Sequence, residues 1–214
     1  MRFSDRTEAG RRLAAALASY RDRHPVVLAL PRGGVPVAAA IAEALSAPLD
    51  LLLVRKIGLP GQPELAIGAI VDGAEPVVVR NEALIALAGV RDEAFEEIRR
   101  GELAEIARRR ARYIGSRRRA PIAGRTVIVV DDGMATGATA RAALQAIRKH
   151  GPGRLVLAVP VASAEAVAAV RGAVDDLVCL EVPEAFLAIG SFYRDFGQVS
   201  DEEVVSILAR FPAT

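Results

Sequence analysis

The stretch VIVVDDGMATGAT, Val127–Thr139, decides how this chain folds. Four apolar residues run into two carboxylates and then into a loop of Gly, Ala and Thr. A short continuous apolar run bounded by turn residues is the pattern of a strand buried on both faces. The loop that follows has little side-chain bulk, and a helix pattern, TARAALQAIRKHG (Thr139–Gly151), opens directly after it. The helix N-terminus points N–H groups and a dipole at whatever lies beyond the strand, which favours negative charge. Thr136 and Thr139 add hydroxyl donors. The stretch therefore reads as strand, phosphate-holding turn and helix.

The same alternation continues on both sides. VVLAL (Val26–Leu30), LDLLLVRKI (Leu49–Ile57), AIGAIV (Ala66–Val71), PVVVR (Pro76–Arg80), RLVLAVPVA (Arg154–Ala162) and DLVCLEV (Asp176–Val182) are strand candidates. VPVAAAIAEAL (Val35–Leu45), Asn81–Ser116 and SAEAVAAVRG (Ser163–Gly172) are helix candidates. Strands alternating with helices predict an α/β fold, a parallel sheet with helices on both faces. At the ends, Ser4–Tyr20 reads as a helix with Asp5 and Glu8 in a capping arrangement, and Asp201–Arg210 as a last helix after an aromatic, loop-like tail. The expectation is one domain over 1–214, with a core over about 25–182 and a small cap from about 1–24 and 183–214.

A second strand-to-helix loop, LPRGGVP (Leu30–Pro36), is also built for an anion. Gly33 and Gly34 admit close backbone approach. Arg32 offers a planar fork to phosphate oxygens. Pro31 keeps Leu30 extended and permits a cis bond before it. In open parallel sheets ligands bind beyond the carboxyl ends of the strands. Two such loops predict a ligand with phosphate at both ends, its hydroxyl-bearing middle against Asp131 and Asp132, with Mg2+ as the alternative use of the carboxylates.

These residues carry a family resemblance. VIVVDDGMATGAT resembles the thirteen-residue signature of the type I phosphoribosyltransferases, LPRGG resembles their pyrophosphate loop, and RKIGLPG (Arg55–Gly61) is similar to a segment of adenine phosphoribosyltransferases, one residue shorter. The chain is most similar to bacterial members of the family without an assigned substrate. The resemblance implies transfer of the phosphoribosyl group of phosphoribosyl pyrophosphate (PRPP) to a nitrogenous acceptor, with Mg2+ as cofactor. It implies that Met134, Ala135, Thr136, Gly137, Ala138 and Thr139 hold the 5-phosphate. Asp131 and Asp132 would meet the ribose hydroxyls and, through them or through water, the Mg2+. Arg32, Gly33 and Gly34 would meet the pyrophosphate. Arg32, Lys56, Asp131 and Asp132 are then the candidate catalytic residues, and GLPGQPEL (Gly58–Leu65) the expected lid. Ala135 stands where 6-oxopurine enzymes have an Asp, which ranks hypoxanthine and guanine low. Phe192 and Tyr193, in FLAIGSFYRDF (Phe186–Phe196), are candidates to stack on the acceptor.

Other function classes fit less well. The net charge of +2 is weak evidence for a nucleic-acid partner. Only His24 and His150 are present, which counts against a His-based triad or a zinc site. Cys179 is the single cysteine and reads as a buried, inert thiol. DDGMATGAT lacks the lysine of a Walker A loop, and LPRGGVP lacks a Gly-x-Gly-x-x-Gly pattern. The acid pair also occurs in response-regulator receivers, but that reading leaves the first half of the chain and the Thr-Gly-Ala-Thr turn without a role. The helix carrying Arg99, Arg100, Arg108, Arg109, Arg110 and Arg112 interleaves Glu96, Glu102 and Glu105, the pattern of a solvated amphipathic helix, with a homodimer contact as second use. The rival function is a PRPP-sensing regulator of the same fold that binds nucleic acid or a protein partner. No apolar run approaches the ~20 residues of a membrane helix, and the polar N-terminus does not read as a signal peptide, so a cytoplasmic location is expected.

Overall fold

The computed structural model describes residues 2–73, 76–115 and 117–211, with the backbone alone at 63 and 64. Five parallel strands form the central sheet in the order β2-β1-β6-β7-β8, where β1 is Val26–Ala29, β2 Leu49–Leu51, β6 Thr126–Val130, β7 Arg154–Val161 and β8 Asp176–Glu181. The strand register sets Ala29 beside Val130, and Val130 beside Ala158. The carboxyl ends of β1 and β6 are thus level neighbours, and the two anion loops leave from adjacent points.

Alternate residues of these strands face two different cores, as the two-residue period requires. Val27, Ala29, Ile128, Val130, Val156 and Ala158 pack with helices α1 (Arg6–Ala16), α2 (Gly34–Leu45) and α7 (Asp201–Ala209). Val26, Leu28, Val127, Val129, Leu155 and Leu157 pack with α5 (Ala138–Lys149) and α6 (Ala164–Arg171). The sheet is covered on both faces, as the continuous apolar strands predict. Pro36 lies in the first turn of α2, where its missing N–H costs no helical bond. Asp5 caps α1 by accepting from the Glu8 amide at 2.8 Å, and the Glu8 carboxylate accepts from the Ser4 amide at 2.7 Å.

Three expectations are corrected. The run Leu49–Ile57 is not one strand: β2 ends at Leu51, and the chain turns into β3 (Val54–Leu59) of a second sheet. That sheet is antiparallel, order β3-β4-β5, with β4 Gln62–Val71 and β5 Val77–Arg80. The segment expected to be an irregular lid is the tip of the β3–β4 hairpin, turning at Pro60–Gly61 with Gly61 at φ +81°. The long helix from Asn81 is two helices, α3 (Glu82–Ala88) and α4 (Asp92–Tyr113), separated where Gly89 takes φ +62°; Ser116 lies outside the described residues. In α4, Phe95, Ile106 and Tyr113 are buried and Leu103 packs against the core, while Glu96 and Glu105 pair with Arg99, Arg108 and Arg109.

The chain ends meet. The Phe3 amide donates to the Phe192 carbonyl at 2.7 Å, and Phe3, Tyr193 and Phe196 form a small aromatic cluster over Ala9. The helix α1 itself belongs to the main core, lying against α2 and the sheet. Residues 212–214 of the expected cap lie outside the described residues.

Candidate functional site

The Arg-Gly-Gly loop rests on close contacts that only glycine allows. A Cβ on Gly33 would lie 2.5 Å from Asp132 Cγ and overlap its Oδ2. A Cβ on Gly34 would lie 2.7 Å from the Val130 carbonyl oxygen. The Arg-Gly-Gly loop is therefore pressed against the acid pair, which brings Arg32, Gly33, Gly34, Asp131 and Asp132 into one place. The Leu30 amide donates to the Val130 carbonyl at 2.9 Å, so the sheet ladder continues to the edge of the loop. A cis peptide bond lies between Pro31 and Arg32, one bond later than the sequence suggests.

The phosphate turn is fixed from the far side. Met134 is buried, its amide donates to the Val161 carbonyl at 2.9 Å, and its carbonyl accepts from the Ser163 amide at 3.0 Å. The Ser163 hydroxyl donates to the Ala135 carbonyl at 2.6 Å. Gly137 caps α5 at φ +71°, a conformation that L side chains rarely adopt. Thr136 is exposed, and its Oγ1 lies 3.4 Å from the Ala138 amide. The first amides of α5 have no intrahelical partner, as at any helix start.

Lys56 is exposed on β3, and β3 brings it to the same place. One cavity of about 670 Å3 is lined by Pro31 from the first loop, Thr139 from the second, and Lys56, Gly58, Leu59, Pro60 and Gly61 from the hairpin. Arg55, its neighbour, lines the same cavity and donates Nε to Glu102 on α4, also on the lining, at 2.5 Å.

The two carboxylates have different surroundings. Arg6, from the first turn of α1, donates Nε to Asp132 Oδ2 at 2.8 Å, and each side chain is 12 % exposed. The same guanidinium reaches the Gly197 carbonyl at 2.7 Å and lies 3.9 Å from the Phe196 ring centre. Asp132 is thus held by a desolvated ion pair. Asp131 is half-buried, and its Oδ1 accepts from the Asp132 amide at 2.9 Å. Burial first, then the neighbouring Asp132 charge, push the Asp131 carboxyl well above the usual carboxylate range. Arg32 is 35 % exposed with NH1 3.5 Å from Asp201 Oδ1. Asp201 also accepts from the Tyr113 hydroxyl at 2.5 Å, a bond that holds its carboxyl below the usual range.

Tyr193 differs from its sequence expectation. Its ring is buried between Phe3 and Phe196, with centroids at 5.4 and 4.9 Å, and its hydroxyl donates to the Asp132 carbonyl at 2.6 Å. The residue buttresses the acid turn and offers no open stacking face; burial pushes its phenol up. Phe192 is half-buried and stacks on Phe186 at 5.6 Å. Neither Phe192 nor Tyr193 lines the cavity of Lys56 and Thr139. Arg6, Ser163 and Ile189, whose side chain closes over Gly133, are the site residues that sequence reasoning missed. Nothing local marks them: Arg6 lies 126 positions from its carboxylate partner.

Among the described residues no cluster of three or more His, Cys, Asp or Glu side chains could hold a metal ion. Among the described residues no helix is long and apolar enough to cross a membrane.

Comparison with known proteins gives a consistent result. The model of the phosphoribosyl transferase domain matches residues 5–196. A Mycobacterium tuberculosis protein provisionally named as a phosphoribosyl transferase, found in strains CDC 1551 and H37Rv, is 49% identical over 208 residues. The match covers 97% of this chain and 46% of that protein, so the chain spans about half the length of the curated relatives it matches. The crystal structure of TT1426 from Thermus thermophilus is 45% identical, with a TM-score of 0.86 over 99% of each chain.

Proposed function

The chain belongs to the phosphoribosyl transferase family, and on that premise we propose that it transfers the phosphoribosyl group of PRPP to a nitrogenous acceptor, with Mg2+ and release of pyrophosphate. The observation that carries the reading is the cavity shared by Pro31, Lys56 and Thr139. Residues of the first loop, the hairpin and the start of α5 line it together, and the acid pair lies against the first of these loops; both support a single small ligand held among them.

In this reading the 5-phosphate sits on the first amides of α5 and the Thr136 and Thr139 hydroxyls. Asp131 accepts from the ribose hydroxyls. Asp132, engaged by Arg6, fixes the turn that presents Asp131 and leaves the diol to its neighbour. Arg32 and Lys56 meet the diphosphate oxygens. The anomeric C–O bond breaks with its electron pair leaving on pyrophosphate, the acceptor nitrogen's lone pair forms the new C–N bond, and the acceptor's displaced proton goes to solvent. The ribose passes through oxocarbenium character, as in glycoside cleavage. The chain supplies positioning and charge stabilisation of the departing diphosphate, with no covalent intermediate. Mg2+ would come in on the diphosphate, with Asp131 and Asp132 the carboxylates that could meet it through hydroxyls or water, and it would neutralise charge on the leaving group. The β3–β4 hairpin tip, with Lys56 in its stem, is the lid that excludes water from the cation. We extend the proposal to a homodimer working in the cytoplasm. The rival PRPP-sensing role is less favoured, because Arg99, Arg108 and Arg109 of α4 are paired with glutamates of the same helix.

A thermal-shift series tests the reading. Ligand at a hundred times its Kd adds about 2.7 kcal/mol, which raises Tm by roughly 5–10 °C for a chain of this size. PRPP with Mg2+ should produce that rise in the natural protein and little of it in Thr136→Val, whose exposed side chain leaves the fold intact. An equal rise in both proteins would contradict the assignment of the turn.

A further inference from the structure

A second trough lies beside the proposed active site, between α5 and the small sheet. One cavity of about 520 Å3 is lined by Lys56, Gly68, Val79, Arg80, Thr139, Arg141, Ala142 and Gln145, among others. Another, of about 670 Å3, continues from the shared residues Val79, Arg80, Arg141 and Gln145 to Arg148, Lys149, Ala169, Gly172 and Ala173. Arg141, Gln145 and Lys149 stand at i, i+4 and i+8 on α5, one line along the helix. At 1.5 Å per residue their backbones span about 12 Å. All three side chains are exposed.

The charges divide clearly. Arg148 pairs with Asp175, and Arg80 pairs with Glu82 and Asp92. Among the described residues, Arg141 and Lys149 make no ion pair, and both line the trough. Arg80 crosses its waist, stacked 4.3 Å from the Phe95 ring centre, and its buried Nε has no hydrogen-bond partner although Glu82 Oε1 is 2.9 Å away. Glu82 is the carboxylate on the lining at this end. The floor is apolar: Val78, Val79, Ala142, Ala169 and Ala173. An apolar floor suits the face of a flat ring, the Gln145 amide can both donate to and accept from a ring edge, and the unpaired Arg141 and Lys149 suit phosphate.

We propose that this trough is a second ligand site, separate from the transfer site, that binds a nucleoside phosphate with its ring on Val78 and Val79 and its phosphates on Arg141 and Lys149. Because Lys56 and Thr139 border both this trough and the cavity of the transfer site, a ligand here bears on PRPP binding.

Amide shifts of the full chain, followed by NMR during titration with ADP, resolve the two sites. The expected result is saturable movement of amides over 78–80, 141–149 and 172–173. Arg141→Glu with Lys149→Glu should weaken that response at least tenfold, while ribose 5-phosphate still moves amides over 134–139 in both proteins. ADP shifts confined to 30–34 and 131–139, or no saturation with a Kd near or below about 1 mM, would overturn the proposal. So would a change in oligomeric mass of the double variant by sedimentation, which would make the trough a self-interface. Silence from ribose 5-phosphate alone would count against the transfer site and leave the trough standing.

Discussion

Replacing Gly33 by Ala drives a methyl group into the Asp132 carboxylate, which is already bound to Arg6 and buttressed by Tyr193. Overpacking of this kind costs about 1–3 kcal/mol. Because the displaced group carries the turn that holds Asp131, Gly33→Ala should lose PRPP binding by calorimetry out of proportion to its fall in Tm. A variant that melts lower but binds PRPP normally would show that the contact is only structural. Cys179 gives an independent check at the same scale. Burial is the main cause that pushes its thiol up to about 11, and its Sγ donates to the Glu181 carbonyl at 3.3 Å. At pH 8 about one such thiol in a thousand is ionised, against roughly a quarter for an ordinary cysteine with pKa near 8.5. Cys179 is half-buried, where the sequence suggested a fully buried thiol, and the folded protein should react with a thiol reagent some hundredfold more slowly than the chain in denaturant; equal rates would show that the fold does not shield it. The residue scale is also where the sequence said least. The type and spacing of Asp131, Asp132 and Thr136 announce an anion turn, but no local pattern shows that Arg6 and Tyr193 come to brace it, because both contacts depend on how the chain ends meet.

Elements were legible where their signals are local. The strand β6, the turn and α5 follow from a buried apolar run, small residues and a helical period in one unbroken stretch. The break in Leu49–Ile57 was not legible, since apolar residues continue across it and only the competition between two sheets divides β2 from β3. The hairpin tip did carry a signal, a Pro-Gly pair between strand-like runs. It was masked by a further glycine and a further proline, Gly58 and Pro63, which read as loop. The long Arg-rich helix has its own testable chemistry. Hydrogen bonds from Arg108 and then Arg109 hold the Glu105 carboxyl down to about 2. A folded pKa below the unfolded value of about 4.3 gives stability that is present above that value and lost as pH falls towards 2. The arginines are substantially solvated, so the effect is small. Glu105→Gln should lower Tm at pH 7 by no more than about 2 °C, and the two proteins should converge by pH 2. A gap that persists at low pH would mean that Glu105 supports the helix through packing and not through charge.

At the scale of the whole molecule, function rests on the sheet order. Because β1 and β6 are adjacent and parallel, the loops that follow them open side by side beyond the sheet. The small antiparallel sheet then carries Lys56 across the opening, while the chain termini close the opposite side through Phe3, Tyr193 and Phe196. The doubly covered parallel sheet could be read from the sequence because strands and helices alternate. The separate antiparallel sheet could not, since its strands are short and their partners are set by the turns between them. If this arrangement serves phosphoribosyl transfer, one doubly phosphorylated pentose bridges both loops. Competition calorimetry with PRPP and Mg2+, using ribose 5-phosphate and pyrophosphate as separate competitors, tests that bridge. The expected result is one PRPP bound per chain, displaced by either fragment, with the two fragments binding together without excluding each other. If either fragment leaves PRPP binding untouched, or if the two fragments compete for a single place, the loops do not hold opposite ends of one ligand and the claim fails.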